Sequence, residues 1–320
     1  MVRPARVDDH AAIVELAGAA LGWRPDEPNA DLFRWKHVDG AFGPSHLWVA
    51  EADGRLAAFR AMLRWRFRWA GDEVEAVRAV DTATHPDHQG RGLFRRLTLH
   101  AVEQLTAEGT AFVFNTPNAN SRPGYLTMGW RTVGRVPVGV QVASVGSLVR
   151  LTKARVPADK WSLDTSAGEP ATSVLADGDG VAALLDSLPA EPGLCTARSV
   201  EQLRWRYGAG PVRYRIVLAG SRVEQGLAVF RVRQRGAAVE TTVADVLVPG
   251  GDPRVRRALV AGALRSTGGD YAIATQRAPL DGRQVRLPGQ GPILTWRALA
   301  RTDEPPADAW RLSLGDVELF

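Results

Sequence analysis

Apolar positions recur along the chain with two periods, about 3.6 residues in some stretches and two in others, and the switches between them mark its elements. After a short strand-like start, "DDHAAIVELAGAALG" puts Ile13, Leu16 and Ala20 on one helical face, with Asp8 or Asp9 as cap. "ADLFRWKHV" follows as a second short helix. "HLWVAEADGRLAAFRAMLRWRFRW" then changes to period two. Asp53-Gly54 supplies the two positive-φ positions of a tight hairpin turn. In its second arm Leu63, Trp65, Phe67 and Trp69 face one way and Arg64, Arg66 and Arg68 the other, the arginine row reading as a solvated sheet face. "VEAVRAVDTAT" is the next strand, "GLFRRLTLHAVEQLTAEG" a helix with Leu93, Leu97, Ala101 and Leu105 on one stripe, and "TAFVFNT" a buried strand. "NANSRPGYLTMG" is a short helical segment before strands through "WRTVGRVPVGVQVAS". The order is α+β with one strand–loop–helix–strand crossover.

Periodicity disappears over residues 151–172, where Pro, Ser, Thr and charge dominate, and this stretch reads as a linker. Beyond it the pattern returns as an echo. "FRWK" at 33–36 recurs as "LRWR" at 203–206, "VDTATHP" with Asp81 as "ADVLVP" with Asp245, and "EGTAFVFNT" as "GGDYAIATQ". A repeat this long predicts two copies of one fold, residues 1–150 and 173–320, each a mixed, mostly antiparallel twisted sheet flanked by helices.

Composition narrows the classes. With 45% hydrophobic and 23% charged residues the chain reads as soluble and globular, with no stretch apolar enough for a membrane span and no apolar signal segment at the start. Cys195 is the single cysteine, so no intramolecular disulfide and no thiolate metal cluster can form. The compartment expected is the cytoplasm. The net charge of +5 is carried almost wholly by arginine, since lysine occurs only at Lys36, Lys153 and Lys160. Without a basic block of five or more residues, nucleic acid is not the expected partner. Arginine-rich coding explains the bias, and an anionic ligand is the functional alternative.

"HPDHQGRGLFRRL", residues 85–97, is where such an ligand would bind. Gly90 and Gly92 precede a helix start, and Arg91, Arg95 and Arg96 crowd the same place. A backbone turning through two glycines into a helix exposes N–H groups, and these with the helix dipole suit a phosphate or pyrophosphate. Gln89-Gly90-Arg91-Gly92-Leu93-Phe94 resembles the acyl-CoA loop of the GNAT superfamily of N-acetyltransferases, Q/R-x-x-G-x-G/A. About thirty residues on, Asn118, Ser121, Tyr125, Gly129 and Trp130 stand at the spacing of that family's second signature. Phe94 departs from the family's Gly or Ala. In that, and in its tandem halves, the chain resembles the multi-domain enhanced-intracellular-survival acetyltransferases, without their lipid-carrier-like domain.

The resemblance implies an acyl-CoA-dependent N-acyltransferase, acetyl-CoA being the expected co-substrate and a small-molecule amine the acceptor; the alternatives are a protein or peptide amine, acyl-CoA binding without turnover, or a GNAT repurposed for another reaction on a CoA thioester. Residues 89–94 would hold the pyrophosphate, with Arg91 or Arg95 near phosphate. Thr84 ends the strand beside the pantetheine arm, Asn118 with Ser121 lies at the cofactor, and Tyr125 protonates the departing thiolate. For the base, Asp81 competes with a purely structural role, and Glu75 and the Phe320 carboxylate are further candidates. His85 and His88 lack a third ligand, so no metal is expected. The second half has a shorter loop, "PGGDPRVRR", with Pro253 at the expected helix start, and "QRAPLDGRQVRLPGQG" offers no counterpart of Asn118–Tyr125. It is expected to complete the acceptor pocket without binding acyl-CoA.

Overall fold

The protein is described by a computed structural model that covers residues 1–275, 284–286 and 291–318. In chain order its first half contains β1 (Val2–Pro4), α1 (His10–Leu21), α2 (Asn29–His37), β2 (His46–Ala52), β3 (Arg55–Trp69), β4 (Asp72–Thr84), α3 (Leu93–Ala107), β5 (Phe112–Asn115), α4 (Arg122–Thr127), β6 (Arg131–Arg135), β7 (Val138–Val142) and α5 (Val145–Lys153). The second half contains β8 (Glu169–Pro170), α6 (Ala171–Val174), α7 (Gly178–Asp186), β9 (Cys195–Thr196), α8 (Val200–Leu203), β10 (Arg215–Leu218), β11 (Leu227–Arg235), β12 (Ala238–Leu247), α9 (Pro253–Thr267), β13 (Tyr271–Thr275), β14 (Gln284–Arg286), β15 (Ile293–Ala298) and α10 (Leu314–Val317).

The chain forms two compact units, Met1–Gly134 with Ile293–Ala309, and Arg135–Pro292 with Trp310–Phe320. In unit 1 the strands run β1-β2-β3-β4-β5-β15-β6. All pairs up to β4 are antiparallel, and β4 with β5 is parallel, as a helical crossover through α3 requires. Asp53 at φ 52° and Gly54 at φ 74° make the β2–β3 turn. The apolar arm of β3 points inward, with Leu63, Trp65 and Phe67 at most 1% exposed, while Arg66 pairs with Glu73 and Glu75 across the outer face. α1 and α2 bury Ile13, Leu16, Ala17 and Phe33 against Val49, Phe59, Ala61 and Ala83. α3 buries Leu97, Ala101, Val102 and Leu105 against Ala58, Met62, Val77, Ala79 and Val113 on the opposite side.

In unit 2 the order is β8-β10-β11-β12-β13-β7-β14, again antiparallel except for the parallel β12–β13 pair. The two sheets therefore share one topology, as the sequence echo predicts. The units do not divide at residue 150, where the sequence places the boundary. The sixth position of unit 1 is filled by β15 from the second half, which pairs with β5, and that of unit 2 by β7 from the first half, which pairs with β13. The expected linker 151–172 is likewise part of unit 2. Its first residues continue α5, Asp159 and Leu163 donate backbone N–H groups to Gln234 and Val232, and Trp161 packs on the unit's core. Such a segment lacks periodicity because it lies along a strand edge rather than presenting a face of its own.

Candidate functional site

The site grows from the point where β4 and β5 part. Their pairing covers Ala76–Arg78 with Phe112–Phe114, and β4 runs on to Thr84 held by β3 alone among described strands. A strand released from its neighbour presents unpaired N–H and C=O groups along its edge. Between Ala79 and Thr82 the register with β3 slips by one residue, so Val80 and Asp81 form a bulge. Bulges re-aim side chains and recur beside active sites.

Past Thr84 the chain turns through Pro86–His88, and Gly90 and Gly92 both take φ 72°, a left-handed conformation that favours glycine. Gly92 is the N-cap residue of α3. A Cβ on either glycine would meet open space. The amides of Gly90, Arg91 and Gly92 donate to no acceptor among the described residues. Gln89 Nε2 donates to the Thr84 carbonyl at 3.4 Å, which ties the loop back to the strand. Thr82, Thr84, His88, Gln89, Gly90, Gly92, Leu93 and Phe94 line a hollow of about 330 Å³ closed on one side by Ala20 and Leu21. Arg91 in the loop and Arg95 in the first turn of α3 are exposed. The loop thus offers free amide donors, a helix N-terminus and space in one place, which is what an anionic group needs.

α4 brings the second signature to the first. Phe94 and Tyr125 meet edge to face, ring centroids 5.4 Å apart. Phe94 also packs on Gly124, where a Cβ would lie 3.1 Å from its ring. The bulky residue in the loop is therefore accommodated by a residue without a side chain on the facing helix. Tyr125 is 3% exposed, packs against Trp130 at 5.1 Å, and its hydroxyl has no partner among the described residues. Asn118 Oδ1 accepts from the amides of Asn120 and Ser121 and from the Ser121 hydroxyl, at 2.9–3.1 Å, so both residues build the turn that starts α4.

Residues 1–133 match the family described as the acetyltransferase (GNAT) domain. Residues 1–133 form a GNAT acetyltransferase domain. Solved structures with a similar fold include the GCN5-related N-acetyltransferase from Anabaena variabilis ATCC 29413, 12% identical, covering 93% of this chain and 73% of that one, TM-score 0.64. Eis1 from Mycobacterium abscessus is 16% identical over 94% and 74% of the two chains, TM-score 0.58. The GCN5-related N-acetyltransferase from Kribbella flavida is 12% identical over 94% and 71%, TM-score 0.57. At these identities the likeness is one of fold. No curated protein matches the chain by sequence.

Within the GNAT domain, Asp81 is not poised as a base. Its Oδ2 accepts from Lys36 Nζ at 2.8 Å and His37 Nε2 at 2.9 Å, both side chains fully buried. A carboxylate only accepts, so neutral His37 carries its proton on Nε2, and Nδ1 accepts from the Ser45 hydroxyl at 2.9 Å. Burial alone raises the Asp81 carboxyl, but the Lys36 ammonium and the His37 hydrogen bond outweigh it and hold the group well below the usual carboxylate range. Burial lowers the His37 imidazole more than Asp81 raises it. Nothing in the sequence marks this cluster beyond the "FRWK" echo. Unit 2 repeats it with other residues: Tyr207, at the position of His37, donates to Asp245 at 3.3 Å, and Arg198 pairs with Asp245 at 2.7 Å. The strand bulge recurs there too, between Val243 and Asp245.

Glu75 stands nine positions before Thr84 on the same strand, roughly 30 Å away at about 3.3 Å per residue. It is paired with Arg66, which removes it from the site. Phe320 lies outside the described residues. His85 and His88 rings are 6.0 Å apart, and no group of three metal-ligating side chains occurs among the described residues. Nor is any helix among them long and apolar enough to cross a membrane.

The corresponding loop of unit 2 is already satisfied. Gly250 N–H donates to the Ser187 carbonyl and Gly251 N–H to the Val248 carbonyl. Asp252 caps α9 by accepting from Arg254 N–H at 2.7 Å, placing the chain's own carboxylate where an anion would bind. Arg256 donates to the carbonyl of Val246, the counterpart of Thr82. Of the segment expected to lack an Asn118–Tyr125 counterpart, residues 276–283 and 287–290 lie outside the described residues.

Proposed function

We propose that unit 1 transfers an acyl group, acetyl in the first instance, from acyl-CoA to the amine of a small molecule such as an amino sugar, an amino acid or a natural-product amine. The reading is carried by the loop at residues 89–94, whose free amides and paired positive-φ glycines open α3 beside the released edge of β4. In it the pyrophosphate lies on those amides, with Arg91 and Arg95 nearby. The Thr82–Thr84 edge takes the pantetheine arm, and Asn118 and Ser121 form the turn that carries Tyr125 to the sulfur. The amine nitrogen forms the new bond to the acyl carbon, the C–S pair leaves with sulfur, Tyr125 supplies the proton to sulfur, and the proton the amine releases restores the Tyr125 hydroxyl. Asp81, held ionised by Lys36 and His37, braces the bulge of β4 against α2 and takes no proton from the amine. Unit 2 serves structure without binding acyl-CoA. The experiment is a thiol-release assay with acetyl-CoA against a panel of small amines and peptides. Amine-dependent release with small amines supports the reading. Tight CoA binding without release from any acceptor favours an acyl-CoA sensor, and release with peptides alone favours a protein acceptor.

A further inference from the structure

One charge beside this site has no counterpart. Arg60, in the middle of β3, is 0% exposed. Its pairing partners are Trp48 on β2 and Thr82 on β4, next to the Val80–Asp81 bulge. Above it lie Phe94 from α3, its ring centroid 5.8 Å from the guanidinium carbon, and Tyr125 from α4, at 5.3 Å. Nη2 meets Met62 Sδ at 3.9 Å, and Nε and Nη1 have no partner among the described residues. No carboxylate among the described residues pairs with it. A guanidinium withdrawn from water is costly unless negative charge meets it. Arg231, equally buried, is met by Glu318, and Arg198, one-tenth exposed, by Asp245 and Asp316. The two rings hold the Arg60 cation in place without neutralising it.

The proposed reaction develops negative charge on the carbonyl oxygen as the amine adds and on sulfur as the C–S bond breaks, and in that reading it is the sulfur that Tyr125 faces. We propose that Arg60 is the electrostatic partner of the coenzyme A thiolate, meeting the charge left on sulfur when the C–S bond breaks. This rests on the acyl-transfer reading. The electron pair of the breaking C–S bond goes to sulfur. The proton comes from Tyr125, whose hydroxyl is restored by the proton the amine releases. A fixed charge in a dry site acts without reorganising at the moment of reaction, which is where such groups contribute most.

The test is the ultraviolet thiolate absorbance of free CoA bound to wild-type, R60K and R60M proteins as pH is varied, with steady-state rates on acetyl-CoA alongside. The expected result is a bound thiol that ionises at least about one pH unit below free CoA, roughly tenfold in its ionisation constant. R60K keeps most of that shift and R60M loses it. R60M also lowers kcat about 10²-fold with little change in KM for acetyl-CoA. A wild-type complex in which bound CoA ionises like free CoA overturns the inference and leaves the acyl-CoA reading standing. Failure of wild type to bind CoA by calorimetry overturns that reading itself. Should R60M not fold, the wild-type and R60K titrations decide alone. A preference for succinyl-CoA over butyryl-CoA that R60K weakens assigns the charge to a carboxylate on the acyl group, and overturns the thiolate role.

Discussion

Gly92 is constrained by its backbone rather than by its neighbours. Its φ of 72° disfavours a β-branched residue by about 1–2 kcal/mol, while its absent side chain would point into open space. Gly92→Val should therefore fold with a modest loss of stability and lose at least tenfold in CoA affinity, about 1.4 kcal/mol. Unchanged affinity in the folded variant removes the loop from the site. Tyr125→Phe keeps the ring packing against Phe94 and Trp130 and removes only the hydroxyl, so kcat should fall about 10²-fold with CoA affinity intact. A wild-type rate would make Tyr125 a packing residue. Asp81 divides the other way. Asp81→Asn leaves the buried Lys36 without its carboxylate, a loss of about 3–5 kcal/mol typical of a broken buried pair, seen as a lower Tm at pH 7. Folding depresses both Asp81 and His37, so both contributions are complete above about pH 6.5 and decline with acid: His37 opposes folding below that value, and Asp81 is lost below about pH 4. Wild-type Tm should fall over that range. A variant with normal Tm and abolished turnover would restore Asp81 as the base.

At the scale of elements, α1, α2, α3 and the β2–β3 hairpin were legible because each carries an apolar stripe of its own period, and the hairpin its Asp-Gly turn. The loop was legible because glycine at positive φ leaves a sequence mark. What periodicity cannot carry is which edge an apolar strand joins. β7 reads as an ordinary strand following its own half and β15 carries no mark of its own in the sequence, yet each completes the other sheet. Arg60 and Lys36 were equally silent, since a cation within an apolar run looks the same whether it is paired or not. The exchange has a direct consequence. A chain ending at residue 150 lacks β15 and leaves the edge of β5, with Phe112, Val113 and Phe114 fully buried in the whole protein, without its partner. Such a fragment should show no cooperative thermal transition by circular dichroism, and a sharp one would contradict the assignment of β15 to unit 1.

Across the whole molecule, one topology is used twice for different ends. Both units have the parallel pair that parts, the bulge, and an aspartate held by the helix that precedes the hairpin. They diverge at the loop. In unit 1 its amides are free. In unit 2 Ser187 and Val248 accept from Gly250 and Gly251, Asp252 caps the helix, and Arg256 takes the strand carbonyl. The account therefore rests on a single acyl-CoA site per chain, at residues 89–94. Calorimetric titration of the wild-type protein and of Gly92→Val with a non-hydrolysable acetyl-CoA analogue measures this directly. The account predicts a stoichiometry of one for the wild type and affinity at least tenfold weaker for the variant. Two sites per chain, or one site that Gly92→Val leaves untouched, would contradict it.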